Sequence, residues 1–177
     1  MGLSAKNIVV GAAVAAAAVA AFCFLNPSEE GRVKAAFKHA AATVSKEADE
    51  PLLAIAAKVR AISDLAEPEI HLSVPERDLN AKFTRSEMAQ HVMLARKSCS
   101  SLSVAFESVS VQSIDGDVAH ATADLLVSGI GAESFLQGRD TREVESVLKK
   151  SPEDGKWRFS SVTIKAIVTP GTVSHPH

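Results

Sequence analysis

The sequence has no tyrosine, one tryptophan and two cysteines. So few aromatic side chains disfavour functions that depend on stacking against bases or sugars. Positive charge is also not in excess, since 19 Lys and Arg stand against 21 Asp and Glu, a formal net charge of −2. With no basic cluster, the composition argues against nucleic acid as a partner.

Several motifs of common sites are missing as well. There is no P-loop, dinucleotide fingerprint, serine elbow or zinc-ligand spacing, and no internal repeat. His175 and His177 lie close together near the end of the chain, but two histidines there are poor evidence for a metal site. Cys23 and Cys99 are not expected to pair, and Cys99 is expected to be a small buried residue. We therefore expect no metal and no cofactor.

The longest apolar run is charge-free for eighteen residues, from Ile8 to Leu25. As a helix it would be roughly 27 Å long, about the thickness of the hydrocarbon core of a bilayer. Lys6 precedes the run, and Glu29 and Glu30 follow it. Because a positive flank stays on the cytoplasmic side, this predicts a single transmembrane helix with the rest of the chain outside, in the periplasm if the cell is bacterial.

A cleaved signal peptide is the alternative to an anchor. Ala18 and Ala20 offer small residues for a cleavage site, but the bulkiest residues, Phe22 to Leu25, follow that site. A lipoprotein through Cys23 is disfavoured because Phe22 precedes the cysteine. We expect an uncleaved anchor over residues 1–27, one domain over 28–169 and a disordered tail over 170–177, with cleavage left open.

Two helices are predicted after the anchor. The first has one apolar face, formed by Val33, Ala36, Phe37, Ala40, Ala41 and Val44, and Ser28 is placed to cap it. Pro51 suits the first position of the second helix. The second apolar face is formed by Leu52, Ile55, Val59 and Ile62. We expect Glu67-Pro68 to end this helix.

A short strand and a third helix come next. Ile70, Leu72 and Val74 alternate, which predicts a strand ended by Pro75, and residues 76–83 are expected to form a loop. "TRSE" at 84–87 is a capping box that starts the third helix. Met88, His91, Val92 and Ala95 lie on one side of that helix.

Four long strands are predicted over the remainder. In the first, the apolar residues change parity after Phe106, which indicates a β-bulge near Glu107-Ser108. The last strand changes parity in the same way between Phe159 and Val162. "IDGD" and "EDGK" predict tight hairpin turns. The fold class is therefore α+β: three N-terminal helices packed in a curved, bulged antiparallel sheet, preceded by the transmembrane helix.

This order of elements resembles the nuclear transport factor 2-like, or SnoaL-like, cone fold. The segments that carry the resemblance are "FTRSEMAQHV", "IDGDVAHATADL", "REVESVLKK" and "DGKWRFSSVTI". The family includes isomerases, dehydratases, cyclases, transport adaptors and non-catalytic domains, so the resemblance implies a fold more than a function. Members often pair through the outer face of the sheet, which implies a homodimer.

The resemblance also implies where chemistry would lie. Enzymes of the family use a carboxylate or a His-Asp pair inside the cone, and the isomerase version needs a tyrosine that is absent here. If this chain is an enzyme, the candidates are His91, Asp124 and His120. The simpler interpretation turns Asp124 and His120 outward and makes His91 a half-buried structural histidine. Met88, His91 and Trp157 are the candidates for lining a ligand pocket.

Two functions are therefore expected from the sequence. The first is a membrane-anchored, non-catalytic interaction or ligand-binding domain, such as an accessory subunit of a membrane-protein complex. The second is a small-molecule isomerase or hydro-lyase that uses the cone pocket. The expected partners are the lipid bilayer, a membrane-protein partner and a second copy of the chain.

Overall fold

The computed structural model describes residues 27–130 and 139–166. The predicted anchor up to residue 26, with Cys23, and the predicted tail from residue 170, with His175 and His177, lie outside the described residues. The described elements follow in chain order: α1 (Glu29–Val44), α2 (Leu52–Asp64), β1 (Ala66–Val74), a 3-10 helix (Pro75–Arg77), β2 (Leu79–Thr84), α3 (Arg85–Ser98), β3 (Ser101–Asp115), β4 (Val118–Ile130), β5 (Arg139–Lys150) and β6 (Trp157–Ala166). Within this part of the chain, no helix is both long enough and apolar enough to cross a bilayer.

The three helices begin where local chemistry favours a start. The Ser28 hydroxyl accepts a hydrogen bond from the backbone N–H of Gly31 at 3.1 Å and caps α1. At α3 the Thr84 hydroxyl accepts from the Glu87 N–H, and the Glu87 carboxylate accepts from the Thr84 N–H, which confirms the predicted capping box.

Two predicted boundaries of α2 were wrong. Pro51 has extended backbone angles and precedes the helix, which begins at Leu52. The helix ends at Asp64, before Glu67-Pro68, and both of these residues belong to β1. The parallel pairing of Ala66 with Phe159 on β6 draws this part of the chain into the sheet.

The sheet has six strands in the order β2-β1-β6-β5-β4-β3. The prediction of an all-antiparallel sheet was wrong, because β1 runs parallel to β6 and makes the sheet mixed. The predicted loop over 76–83 was also wrong in part. Residues 79–84 form the edge strand β2, which pairs with β1 from Glu69↔Thr84 to Val74↔Leu79. The α+β class, with three helices on a curved sheet, is confirmed.

Both predicted face switches occur. In β3 the register shifts between Glu107 and Ser110, and Ser108 between them has a left-handed φ of 50°. In β6 the register against β5 shifts at Val147/Leu148. Each bulge turns the following apolar residues back toward the inner face and bends its strand.

The helices fill the curve of the sheet around Phe37. This α1 side chain is fully buried, and its ring meets Phe106 of β3 and Phe159 of β6 edge-on at centroid distances of 5.2 and 5.0 Å. Both partners lie next to a bulge, so the inward bends of β3 and β6 are directed onto one helix residue. Edge-to-face pairs of this kind favour a defined packing geometry.

A buried ionic cluster joins the ends of the helices. Arg96 of α3 is 2 % exposed, and its guanidinium donates to the carbonyl oxygens of Thr43, Val44 and Ser45 at the end of α1. It also pairs with the buried carboxylate of Glu50. In return, the Lys46 ammonium donates to the carbonyl oxygens of Arg96 and Cys99 at 3.0 and 2.7 Å. Each helix end is therefore capped by a cation from the other segment.

Glu50 balances this cluster. It accepts a hydrogen bond from Lys58 of α2 at 2.6 Å. That bond, together with the positive charge of Arg96, lowers the pKa of the Glu50 carboxyl against the opposing effect of burial. The carboxylate is therefore ionised at neutral pH and ties the loop after α1 to both other helices.

The Arg96 cluster gives the first prediction. Arg96→Met keeps the apolar stem of the side chain but leaves the carbonyl oxygens of Thr43 and Val44 without their donor and removes one of the two cations that pair with Glu50. We expect the free energy of unfolding to fall by about 3–5 kcal/mol. Urea unfolding followed by the fluorescence of Trp157, the one tryptophan in the chain, measures it. Arg60→Met on the exposed side of α2 is the control and should change stability by no more than about 0.5 kcal/mol. Equal losses in the two variants would contradict this role.

The bulge in β3 gives the second prediction. Ser108 is exposed, so substitutions there test backbone conformation without changing the core. A β-branched residue disfavours positive φ, whereas glycine accepts it. Ser108→Val should be about 1–2 kcal/mol less stable than Ser108→Gly. Thermal unfolding of the two variants side by side measures the difference, and equal midpoints would show that residue 108 is not held at positive φ.

Candidate functional site

A cavity of about 690 Å³ lies between the helices and the inner face of the sheet. Its walls are apolar, with His91 and Ser146 as the two polar exceptions among the described lining residues. The lining residues come from all three helices and all six strands: Ala40, Val44, Ile62, Leu65, Ala66, Ile70, Leu72, Leu79, Phe83, Met88, His91, Val92, Ala95, Leu102, Val104, Phe106, Leu125, Val127, Val144, Ser146, Phe159, Val162 and Ile164. The volume is in the range of pockets that hold a small organic molecule.

Strand alternation decides which side chains reach the cavity. On β4, Ala119, Ala121 and Ala123 are buried on the inner face, and Leu125 and Val127 continue that face into the cavity. The alanines leave room for α1 to approach the sheet closely, while the larger residues surround the open space beyond. The cavity therefore occupies the end of the cone away from the start of α1.

Of the predicted pocket residues, Met88 and His91 line the cavity. His91 is exposed, and its ring meets Phe83 of β2 edge-on at a centroid distance of 5.3 Å. His91 is therefore placed at the rim between α3 and β2. The start of α3 is held by the Thr84–Glu87 capping box. Because His91 follows this box by one helical turn, the box fixes the position of His91.

The third predicted pocket residue, Trp157, is not among the lining residues. It is buried at the opposite end of the cone, where its indole Nε1 donates to Glu29 Oε2 at 3.0 Å. Lys150 Nζ donates to the other oxygen of the same carboxylate at 3.0 Å. These hydrogen bonds, from Lys150 first and then Trp157, lower the pKa of the Glu29 carboxyl. Trp157 therefore holds the start of α1 against the sheet.

Asp124 and His120 lie on the outer face of β4, opposite the cavity. They alternate with the buried Ala119, Ala121 and Ala123, so neither can reach the inner face without a change of register. Asp124 is placed between Glu107 of β3 and Glu143 of β5. The structure therefore does not bring His91 and Asp124 together. The two residues lie on opposite sides of the sheet and cannot act on one ligand in the cone.

Sequence reasoning missed Ser146. It is 4 % exposed, lines the cavity, and its hydroxyl has no hydrogen-bond partner among the described residues. The alternation of residues in β5 indicated it, because Ser146 lies between Val144 and Leu148 on the same face of the strand. A serine between two buried aliphatic residues marks a polar group placed inside an apolar face.

Metal binding finds no support in the described ranges. Residues 27–130 and 139–166 contain no group of three His, Cys, Asp or Glu side chains arranged to hold an ion. Cys99 is a free, buried thiol next to the helix end capped by Lys46. The cavity therefore offers apolar contact, with one imidazole-bearing residue at its rim and one serine in its wall whose hydroxyl is itself buried.

No protein-family model and no curated protein matches this sequence. Solved structures do match the fold. A nuclear transport factor 2-like superfamily protein from Salmonella enterica Typhimurium aligns with a TM-score of 0.61 at 15% identity, over 83% of this chain and 96% of its own. A proposed dehydratase of the nuclear transport factor 2-like family from Streptomyces avermitilis aligns with a TM-score of 0.58 at 15% identity, over 78% of this chain and 95% of its own.

A third match is a proposed scytalone dehydratase from Novosphingobium aromaticivorans, with a TM-score of 0.55 at 12% identity over 82% of this chain and 85% of its own. At these identities the likeness concerns the backbone and not the site. The alignments cover the three helices and the mixed curved sheet, and the chain has the fold of the nuclear transport factor 2-like proteins.

Proposed function

We propose that this chain is a membrane-anchored domain that binds an apolar small molecule in its cone cavity without transforming it. The observation that carries the proposal is the cavity of about 690 Å³, whose described lining is apolar apart from His91 and Ser146. Water makes few hydrogen bonds with apolar walls. Such a cavity therefore favours an apolar ligand that displaces the water and contacts the walls.

The lack of an acid–base pair among the described lining residues supports binding over catalysis. Among the described lining residues, His91 is the only one with an acid–base side chain. Asp124, the carboxylate that sequence reasoning offered as its partner, is on the other face of the sheet. A catalytic acid or base must lie within hydrogen-bond reach of the group with which it exchanges a proton, and Asp124 cannot reach the cavity.

Hydro-lyase activity is the second candidate. Two of the structural neighbours are described as proposed dehydratases, and His91 stands at the rim of the cavity as a potential proton donor or acceptor. If a substrate is turned over, His91→Gln should abolish turnover and leave ligand binding within about twofold. Full turnover by that variant would remove His91 from the mechanism.

The predicted anchor would join the domain at the end of the cone opposite the cavity. The predicted span ends at Leu25, and α1 begins four residues later at Glu29, which is tied to Trp157 and Lys150. The axis of α1 extends about 24 Å from there, and Ala40 and Val44 near its far end line the cavity. Attachment to the membrane and ligand binding would then use different ends of the domain, which suits an accessory subunit of a membrane complex.

The binding proposal gives the third prediction. Leu125→Trp adds bulk inside the cavity, whereas Leu126→Trp adds the same bulk to the outer face of the same strand. Adamantane, a rigid hydrocarbon, should raise the unfolding midpoint of the wild type and of Leu126→Trp, because a ligand that binds only the folded state stabilises it. Leu125→Trp should lose most of that shift.

The measurement is thermal unfolding by circular dichroism, with the full chain held in an amphipathic polymer. Adamantane does not absorb at the wavelengths used, and a polymer leaves no free detergent tails to compete for the cavity. No shift in the wild type, or equal shifts in both variants, would contradict binding in the cone.

The anchor gives the fourth prediction. The full chain should stay in the membrane pellet after an alkaline carbonate wash and should have the full mass of 18.6 kDa. Val14→Arg combined with Ala17→Arg should release it, because each charge in the middle of a span costs about 3 kcal/mol on insertion scales. A mass that lacks the first twenty or so residues would instead show that the segment is a cleaved signal peptide.

A further inference from the structure

Ser146 is the unusual residue of the cavity wall. It is buried, its hydroxyl has no partner among the described residues, and its cross-strand neighbours on the inner face are Ala121 and Val162, which offer no side-chain hydrogen bond. A buried hydroxyl without a partner loses its hydration and gains nothing in return. Such a group calls for an explanation.

Local backbone bonding does not provide that explanation. Elsewhere in this fold, buried or half-buried serine hydroxyls do find carbonyl oxygens. Ser45 donates to Ala41 at 2.8 Å, and Ser160 on the neighbouring strand donates to Val147 at 3.0 Å. The β5 backbone next to Ser146 is already engaged in the ladders to β4 and β6. The hydroxyl of Ser146 differs from these because it faces the apolar side of the sheet.

The charges around the cavity limit which ligand groups can bind next to the Ser146 hydroxyl. Arg142 shares the inner face of β5 with Val144 and Ser146 and is the next cation along that face toward the start of the strand. It already forms an ion pair with Glu76 of the 3-10 helix. A ligand carboxylate beside Ser146 would lie among apolar side chains, with the next cation along that face already paired to Glu76, and burying a charge in such a place is unfavourable.

We propose that Ser146 is the polar anchor of the cavity and that the ligand is a neutral, mostly hydrocarbon molecule with an oxygen at one end, an alcohol or a ketone. Rotation about the Cα–Cβ bond of Ser146 turns the hydroxyl toward that oxygen, which gains a hydrogen bond while the rest of the ligand fills the apolar walls. This inference rests on the proposed binding function and adds the chemical class of the ligand.

A rigid matched series tests the class. The probes are adamantane, 1-adamantanol and 1-adamantanecarboxylate, which have the same hydrocarbon body and differ in one group. Affinities come from the shift of the unfolding midpoint with probe concentration, followed by Trp157 fluorescence in the full chain held in an amphipathic polymer. Trp157 lies outside the cavity, and none of the probes absorbs where it does. Uptake of a given probe by the polymer cancels when variants are compared, and the free concentration of each probe, measured by equilibrium dialysis, corrects the comparison between probes.

The wild type should bind the alcohol more tightly than the hydrocarbon and the carboxylate most weakly. Ser146→Ala should weaken binding of the alcohol about tenfold, the effect of one lost hydrogen bond, and leave adamantane within about twofold. Ser146→Thr keeps a hydroxyl and should keep part of the preference. Ser161→Ala removes a serine from the outer face of β6 and is the matched control that should change nothing.

Each of the other outcomes would contradict a specific part of the proposal. If Ser146→Ala keeps the full preference for the alcohol, Ser146 is not the anchor, although the binding function survives. If the carboxylate binds more tightly than the alcohol, the ligand is anionic and Arg142 exchanges Glu76 for it. If no probe shifts the wild type, the binding function itself fails, and this inference fails with it.

Discussion

The buried guanidinium of Arg96 is the interaction on which the helical half of the fold depends. It gathers the last carbonyl oxygens of α1 and the carboxylate of Glu50, while Lys46 from the same segment caps the end of α3. Helix ends carry unsatisfied carbonyls that must find donors when they are buried. Here Arg96 of α3 donates to the end of α1, and Lys46, just after α1, donates to the end of α3. These contacts fix the separation of the two helices at the end of the cone where the cavity opens.

That arrangement lets the cavity be apolar. The charges of Arg96, Lys46 and Lys58 are paired with Glu50 and with backbone oxygens. None of these three side chains therefore needs a partner inside the cavity. The wall beside the cluster is formed by Val44 and Ala95, next to residues that carry the ionic contacts. A saturated polar cluster and an apolar cavity can therefore lie side by side without an unpaired buried charge.

The two ends of the cone consequently serve different purposes. At the narrow end, Glu29 joins Trp157 and Lys150 and ties α1 to the sheet close to the predicted membrane span. At the wide end, His91 marks the rim and Ser146 interrupts an otherwise hydrocarbon lining. The Glu29 contacts that hold the start of α1 are thus at the far end of the cone from His91 and Ser146, the polar residues of the cavity lining.

The sequence by itself determined the elements whose signals are local: the apolar face of α1, the Thr84 capping box and the two changes of parity that mark the bulges. Only the tertiary structure decided the rest, because it depends on partners far along the chain. Residues 79–84 become a strand by pairing with β1, and the parallel pairing of β1 with β6 makes the sheet mixed. For the candidate site, alternation in β4 already favoured an outward Asp124. No local pattern could show that the Ser146 hydroxyl is left without a partner, since that requires knowing every atom packed around it.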